Sequence, residues 1–249
     1  MAQHLKTIEK SFNIIKVIQQ TEYPTLTDIS SELDLPKSTT LNYLRTLSEL
    51  GYVIEDDGLY RLSLKFLDHG IHAKRRRAIA QIAPPVLEQL AGETNEAAWL
   101  MVPERGHVVG LEKALGNRAV QTTGRIGRHT RFHYHAPGKA MLSKMDDSRV
   151  RRIVQDHGLR KVTEHTITDF DELVDELEAV RERGVAFDVG EAIEGLRSIA
   201  SPVVSDGTVY GAIAVVGPEN RLTGDWFRQE LPDLVAGAAN EVELRLRYS

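Results

Sequence analysis

Cysteine is absent from all 249 residues. That removes disulfides and thiolate metal sites, and it fits a reducing compartment. Long apolar runs are also missing. The most continuous one, TVYGAIAVVGP from Thr208 to Pro218, is too short to span a bilayer. No basic-then-apolar N-terminal segment of the kind that directs export is present, so a cytoplasmic protein is expected. Catalytic signatures are lacking as well: there is no G-x-S-x-G elbow, Walker loop, G-x-G-x-x-G or H-E-x-x-H. Ser143, Ser198 and Ser201 carry no sign of activation. Neither an enzyme nor a bound cofactor is expected.

Positive charge is scarce overall, with a net charge of −5, which argues against broad affinity for polyanions. Its distribution is uneven. Residues 1–80 hold 11 Lys/Arg against 10 Asp/Glu, and the rest hold 20 against 26. The Arg-rich, acid-rich composition suits a salty cytoplasm, and a GC-rich genome gives the same Arg bias.

What is present begins with a helical pattern. In LKTIEKSFNIIKVIQQ, the residues Leu5, Ile8, Phe12, Ile15 and Ile18 recur at three- and four-residue steps and predict one buried face. Pro24 breaks it. Thr25 and Asp28 have capping-box spacing at the head of a second helix striped by Leu26, Ile29 and Leu33. The next stretch, LPKSTTLNYLRTLSELGYV from Leu35 to Val53, predicts a third helix stopped by Gly51. Leu41, Leu44, Leu47 and Leu50 line one side, while the other carries Ser38, Thr39, Asn42, Tyr43 and Thr46 instead of the usual Glu and Lys. Two alternating runs, YVIE and LYRLS, follow around Asp56, Asp57 and Gly58, a strong hairpin signal. Three helices and a two-stranded wing make a winged helix-turn-helix.

That pattern explains the small polar face. The second helix of such a motif enters the major groove with its N-terminal residues at base edges, where Asn pairs bidentately with adenine. Ser38, Thr39, Asn42, Tyr43 and Thr46 are expected to read bases, and Lys37, Arg45 and Arg61 to contact phosphates. The acidic tip of the wing repels phosphate and is not expected to insert.

From Leu64 a further helix, KFLDHGIHAKRRRAIAQIA, is expected to run as a linker to Pro84 and Pro85. Its basic run Lys74 to Arg77 either solvates the helix or meets phosphate. Beyond it helix and strand patterns mix. EAAWLMVPE and HVVGLEKA pair around Arg105 and Gly106, and SIASPVVS and TVYGAIAVVG pair around Asp206 and Gly207. VAFDVG adds a strand. PGKAMLSKM opens a helix at Pro137, and DFDELVDELEAVRERG is amphipathic. Pro232 must kink or divide the final helical region. The expected class is α+β with an antiparallel sheet, divided as a DNA-binding domain over 1–66, a linker helix over 67–84 and a ligand domain over 85–249.

Over nearly its whole length the chain resembles the IclR family of transcriptional regulators. The resemblance is carried in order by LPKSTTLNYLRTLSELGYV, YRLS, HAPGKAML, RERGVAFDVGEAIEGLRSIASPVV and YGAIAVVGP. It implies a winged helix-turn-helix joined to a GAF-like effector-binding domain, assembly as a dimer or tetramer, and a palindromic double-stranded operator. It also implies an organic, sugar or aromatic acid effector, often from a catabolic pathway. The family's effector pocket lies between the turn at Ala136 and Gly138 and the sheet. By position, Asp188, Glu191, Leu196, Ser198, Ala214 and Val216 are implied to line it. Some members have Ser where Ala214 and Val216 stand, and Pro137 lacks an N–H that family turns offer to a carboxylate. A two- or three-carbon acid is therefore not expected.

Asp188 either accepts hydrogen bonds from ligand hydroxyls or caps the loop before GEAIEG. His129, His133 and His135 form H-x3-H-x-H, which on one strand would share a face and permit zinc. No nearby carboxylate or thiolate completes the set and Arg128 and Arg131 crowd it, so no metal is expected. The imidazoles and Arg131 are read as lining a pocket mouth or meeting acidic surface, while Arg125, Arg128 and Arg131 either attract an anion or form ordinary loop surface. The competing reading is a metabolite-binding or enzymatic α+β domain with an incidental winged-helix module, and sequence-selective DNA binding separates the two.

Overall fold

The computed structural model describes residues 5–120 and 124–248. The chain forms two compact units, Met1–Ala73 and Lys74–Ser249.

In the first unit α1 (Lys6–Gln20), α2 (Leu26–Glu32) and α3 (Lys37–Glu49) enclose a core of Ile14, Val17, Ile18, Ile29, Leu44 and Leu47, closed by Val53 and Tyr60 of the wing. The buried face of α1 differs from the expected one. Leu5 is 68%, Ile8 53% and Phe12 55% exposed, while Ile14, Val17 and Ile18 are buried. At 3.6 residues per turn, Ile14 lies on the side opposite Leu5. The helix therefore has two apolar faces, and the spacing alone merged them.

The capping box of α2 is present: the Thr25 hydroxyl accepts from Asp28 N, and Thr25 N donates to Asp28 Oδ2 at 2.8 Å. In α3 Leu44 and Leu47 face inward, but Leu50 is exposed, and Thr40 takes an inward position with its hydroxyl donating to the Pro36 carbonyl. Gly51, at φ 77°, turns the chain so that Tyr52 N reaches Leu47 O at 2.8 Å, closing the helix end. Strands β1 (Val53–Asp56) and β2 (Leu59–Leu62) follow, with Asp57 and Gly58 both at positive φ in the tight turn.

The expected continuous linker helix does not form. α4 (Lys65–Arg75) ends before Arg76, and α5 (Ile79–Thr94) begins anew with Pro84 and Pro85 inside it. Neither proline has an N–H, so the carbonyls of Ala80 and Gln81 lose their i+4 donors. The helix persists because its apolar side, including Ala83, Val86, Leu87, Leu90 and Ala91, is buried in the core of the second unit.

That unit is built on an antiparallel sheet of β3 (Ala97–Glu104), β4 (His107–Leu115), β5 (His129–Thr130), β6 (Ala186–Val189), β7 (Leu196–Ser205) and β8 (Thr208–Pro218), in the order β5-β4-β3-β8-β7-β6. The expected hairpins occur at Arg105–Gly106 and Asp206–Gly207. Leu100, Ile199, Ile213 and Val215 pack on one face against α5 and α9 (Leu231–Arg247). Ala97, Ala200, Ala212 and Ala214 pack on the other against α6 (Ala136–Leu142) and α8 (Phe170–Arg183). No element is expected over 147–157, where α7 (Asp147–His157) forms and buries only Val150. Pro232 stands in the first turn of α9, after a π-helical turn at Trp226–Glu230. Among the described residues no helix is long and apolar enough to cross a membrane.

Candidate functional site

Two surfaces gather the residues the sequence singles out, one in each unit. On α3, Lys37, Ser38, Asn42, Arg45 and Thr46 are exposed along one side, with Thr39 half-buried. The Thr46 hydroxyl donates to the Asn42 carbonyl at 2.9 Å, which steadies the side chain and leaves its oxygen free to accept. Tyr43 is half-buried against the core. Arg61 is exposed on β2 opposite Ile54, and Asp56 and Asp57 are exposed at the wing tip.

In the second unit a cavity of about 260 Å³ opens between the sheet, the start of α6 and the loop after β6. Strand register explains part of its lining. Asp188 pairs with Ser198, Ser198 with Val216, and Val216 with Ala97, so these residues form one row across four strands. Asp188, Leu196, Ser198 and Val216 line the cavity, and Ala136, Gly138, Glu191 and Ala214 do not. Its apolar wall includes Trp99, Met101, Leu196 and Val216, and its polar groups include Thr130, Tyr134, His135, Asp188 and Ser198. Arg125, Arg128 and Arg197 bring positive charge to it.

The four that fall outside are occupied elsewhere. Ala214 and Ala136 are fully buried where α6 lies against the sheet. Gly138 packs so closely on Phe132 that an added Cβ would stand 2.0 Å from its carbonyl oxygen. Its N–H is held by the Nδ1 of His135, the N-cap of α6, at 3.0 Å. The expected backbone donors at this turn therefore cap their own helix. Glu191 turns away to Lys139, whose ammonium sits 2.6 Å from Glu191 Oε1 and 3.2 Å from Glu176 Oε1. Arg183 pairs with Glu176 at 2.8 Å.

Asp188 takes the capping position, one of its two expected roles, and turns its other oxygen to a serine. Its Oδ1 accepts from Glu191 N at 2.8 Å and caps the loop, while its Oδ2 accepts from the Ser198 hydroxyl at 3.2 Å on the cavity side. Burial raises its pKa to about 7, the Glu191 charge adds to that, and the loop N–H groups and Lys139 oppose it. Burial also raises Glu191, against the pull of Lys139.

The three histidines are not a ligand set. Only His129 and Thr130 are strand, and the chain turns after them. His129 is exposed, with its Nδ1 3.2 Å from Gly127 O. His133 is buried with its Nε2 3.0 Å from Arg160 O, and burial lowers its pKa. His135 accepts from Gly138 N at Nδ1, so Nε2–H donates to Thr130 Oγ1 at 2.8 Å. Burial, aided by His133, lowers its pKa to about 3 and keeps it neutral. No three His, Cys, Asp or Glu among the described residues converge to hold a metal. Arg131 leaves the cavity for the His157 carbonyl.

Lys139 escapes the sequence reading. Its only signal was a lone cation inside APGKAML, a run otherwise made for burial. Trp99, Met101, Tyr134 and Arg197 escaped as well, because nothing local marks which face of the sheet holds a cavity.

The descriptions of known proteins match on both units. The family model for the IclR helix-turn-helix domain matches residues 7–57, and that for the bacterial transcriptional regulator IclR C-terminal domain matches residues 71–244. The chain is 30% identical to the Probable HTH-type transcriptional regulator ArcR of Halobacterium salinarum, over 98% of this chain and 95% of that protein. It is 28% identical to the HTH-type transcriptional repressor AllR of Salmonella typhimurium, over 97% of this chain and 90% of that one. Among solved structures, an IclR transcriptional regulator from Alicyclobacillus acidocaldarius superimposes with a TM-score of 0.80 at 25% identity, covering 97% of this chain and 99% of its own.

Proposed function

The chain belongs to the IclR family of transcriptional regulators, and from that premise we propose how its two units divide the work. The first binds a double-stranded operator through α3. Ser38, Thr39, Asn42 and Thr46 meet base edges, with Tyr43 contributing only its outer edge. Lys37, Arg45 and Arg61 meet phosphates, which fix register while the base contacts specify. The observation that carries this reading is the exposed side of α3, where short polar side chains replace the usual Glu and Lys and let the backbone approach the groove.

Few cations serve each DNA-binding unit, so single-site affinity is modest and salt-sensitive. Self-association supplies two half-sites and a palindromic operator. Supporting it, Leu5, Ile8 and Phe12 of α1 are exposed, as are Leu64, Leu67 and Ile71 at α4.

The second unit binds a small-molecule effector in the cavity beside Asp188. A wall of Trp99, Met101, Leu196 and Val216 suits a flat or apolar body, and the nearby arginines suit a carboxylate. Asp188 Oδ2 accepts a ligand hydroxyl. The reading is thus a hydroxylated aromatic or sugar acid, larger than a two-carbon or three-carbon one. The effector shifts operator affinity to the extent that it binds one arrangement of the chain better than another.

The test is operator occupancy in the Asn42→Ala/Thr46→Ala double variant, with folding followed by circular dichroism. Loss of sequence preference by about tenfold or more is expected for two lost base contacts. Intact preference in a folded variant would remove the basis of the proposal.

A further inference from the structure

A second recess, of about 620 Å³, lies elsewhere in the second unit. Four cations enter it: Arg76 and Arg77 from the break before α5, Lys144 from the end of α6, and Arg149 from α7. Arg77 is neutralised by Glu104. Among the described residues, no carboxylate lies at ion-pair distance from Arg76, Lys144 or Arg149. The one acid lining the recess beyond these is Asp146. Three unpaired cations and one acid leave a net of two positive charges lining one hollow. Like charges brought together without a counter-ion are unfavourable, and the unit around them is acidic overall, with 24 Lys/Arg against 26 Asp/Glu over residues 74–249.

We propose that this recess binds a phosphate monoester, making it an anion site separate from the cavity beside Asp188. The charge decides the class: a phosphate monoester carries about −2 at neutral pH, which balances the excess, whereas a monocarboxylate balances half of it. Geometry decides between a small molecule and a nucleic-acid backbone. The cations converge from three separate elements on a concavity, which surrounds a compact anion, whereas a row along a ridge would suit a run of phosphates. Guanidinium forks at Arg76 and Arg149 supply paired N–H donors. Ile79, Val209 and Tyr210 provide apolar and aromatic surface for the rest of the ester.

Arg76 and Arg77 stand in the three-residue break between α4 and α5, within the second unit; the division between the units falls earlier, inside α4 between Ala73 and Lys74. An anion gripping Arg76 restrains the break at the head of α5.

Calorimetric titration of the full chain with phenyl phosphate and with inorganic phosphate, at constant ionic strength, tests the assignment. Saturable binding is expected, weakened about tenfold or more by Arg76→Glu/Arg149→Glu through loss of two charge-assisted contacts, and unchanged by Asp188→Ala. Arg76→Lys/Arg149→Lys, which keeps the charge, should lose less than the reversal. Both arginines are exposed, and thermal melting confirms that the variants are folded. No saturable binding of either probe, or equal affinity in the reversed variant, overturns the proposal. A change of affinity in Asp188→Ala, in either direction, would instead move the anion to the sheet cavity and also overturn it. Displacement of phenyl phosphate by duplex DNA, lost in the reversed variant, would assign the recess to a nucleic-acid backbone and overturn the small-molecule class. Each of these outcomes is independent of how Asn42 and Thr46 behave toward an operator.

Discussion

Asp188 and His135 sit on the same cavity and lean in opposite directions with pH. Asp188 has a folded pKa of about 7 against an ordinary 3.8. The native state therefore binds this proton more tightly than the unfolded chain. Its contribution is fully present below about pH 4 and is lost as pH rises through 7. His135, lowered to about 3 from 6.5, does the reverse: its contribution is present above pH 6.5 and is lost as pH falls toward 3. Asp188→Asn keeps an oxygen for Glu191 N and an amide that Ser198 can accept, yet carries no charge. We expect it to stabilise the fold relative to the parent at pH 8, by a few kcal/mol at most, and so to raise the melting temperature, with the gain vanishing near pH 4. Melting curves at the two values check the sign, and a gain that grew on acidification would contradict the buried-charge account.

At the scale of elements, α6 shows how small residues place a site. Ala136 and Ala140 on the helix meet Ala200, Ala212 and Ala214 on the sheet, while Gly138 packs on the Phe132 backbone. The helix comes close enough for Lys139 to reach Glu191 and Glu176 while His135 closes its first turn. Gly138→Ala would drive a methyl into the Phe132 carbonyl. It should destabilise the second unit by about 2 kcal/mol or more, the range of a forced overpacking, with operator contacts of α3 untouched in any folded fraction. Denaturant titration measures the loss; a change below about 0.5 kcal/mol, typical of surface sites, would show that the helix can simply shift outward.

For the whole molecule, the exposed apolar residues of α1 and α4 bear on assembly. Phe12 is large, apolar and more than half exposed, opposite the face that packs on Leu44 and Leu47. Phe12→Glu leaves the core intact and places a charge on the free face. Sedimentation should show a smaller species than the parent at equal concentration, and operator affinity should fall in parallel as two half-sites cease to act together. An unchanged assembly would transfer the contact to another surface.

Local chemistry was enough to read much of this protein from its residues. Thr25 and Asp28 cap α2, Asp57–Gly58 turns the wing, Gly51 ends α3, and Asp206–Gly207 between two apolar runs joins β7 to β8. Each depends on neighbours within a few positions, which a sequence displays directly. The family resemblance likewise led to Asp188 and Ser198, which share one register row. What lay beyond reach depended on partners distant in the chain. Leu5 and Ile14 are equally apolar, and only packing decided which was buried. Pro84 and Pro85 read as a stop, and burial of α5 overrode them. Glu191 met Lys139, 52 positions away, instead of a cavity, and Arg76, Lys144 and Arg149 came to line one recess. Local rules determined most of the elements and several of their ends; the course of α5 through its prolines, which faces met, and which charges lined a recess were decided by tertiary packing, because burial is a property of the assembled chain.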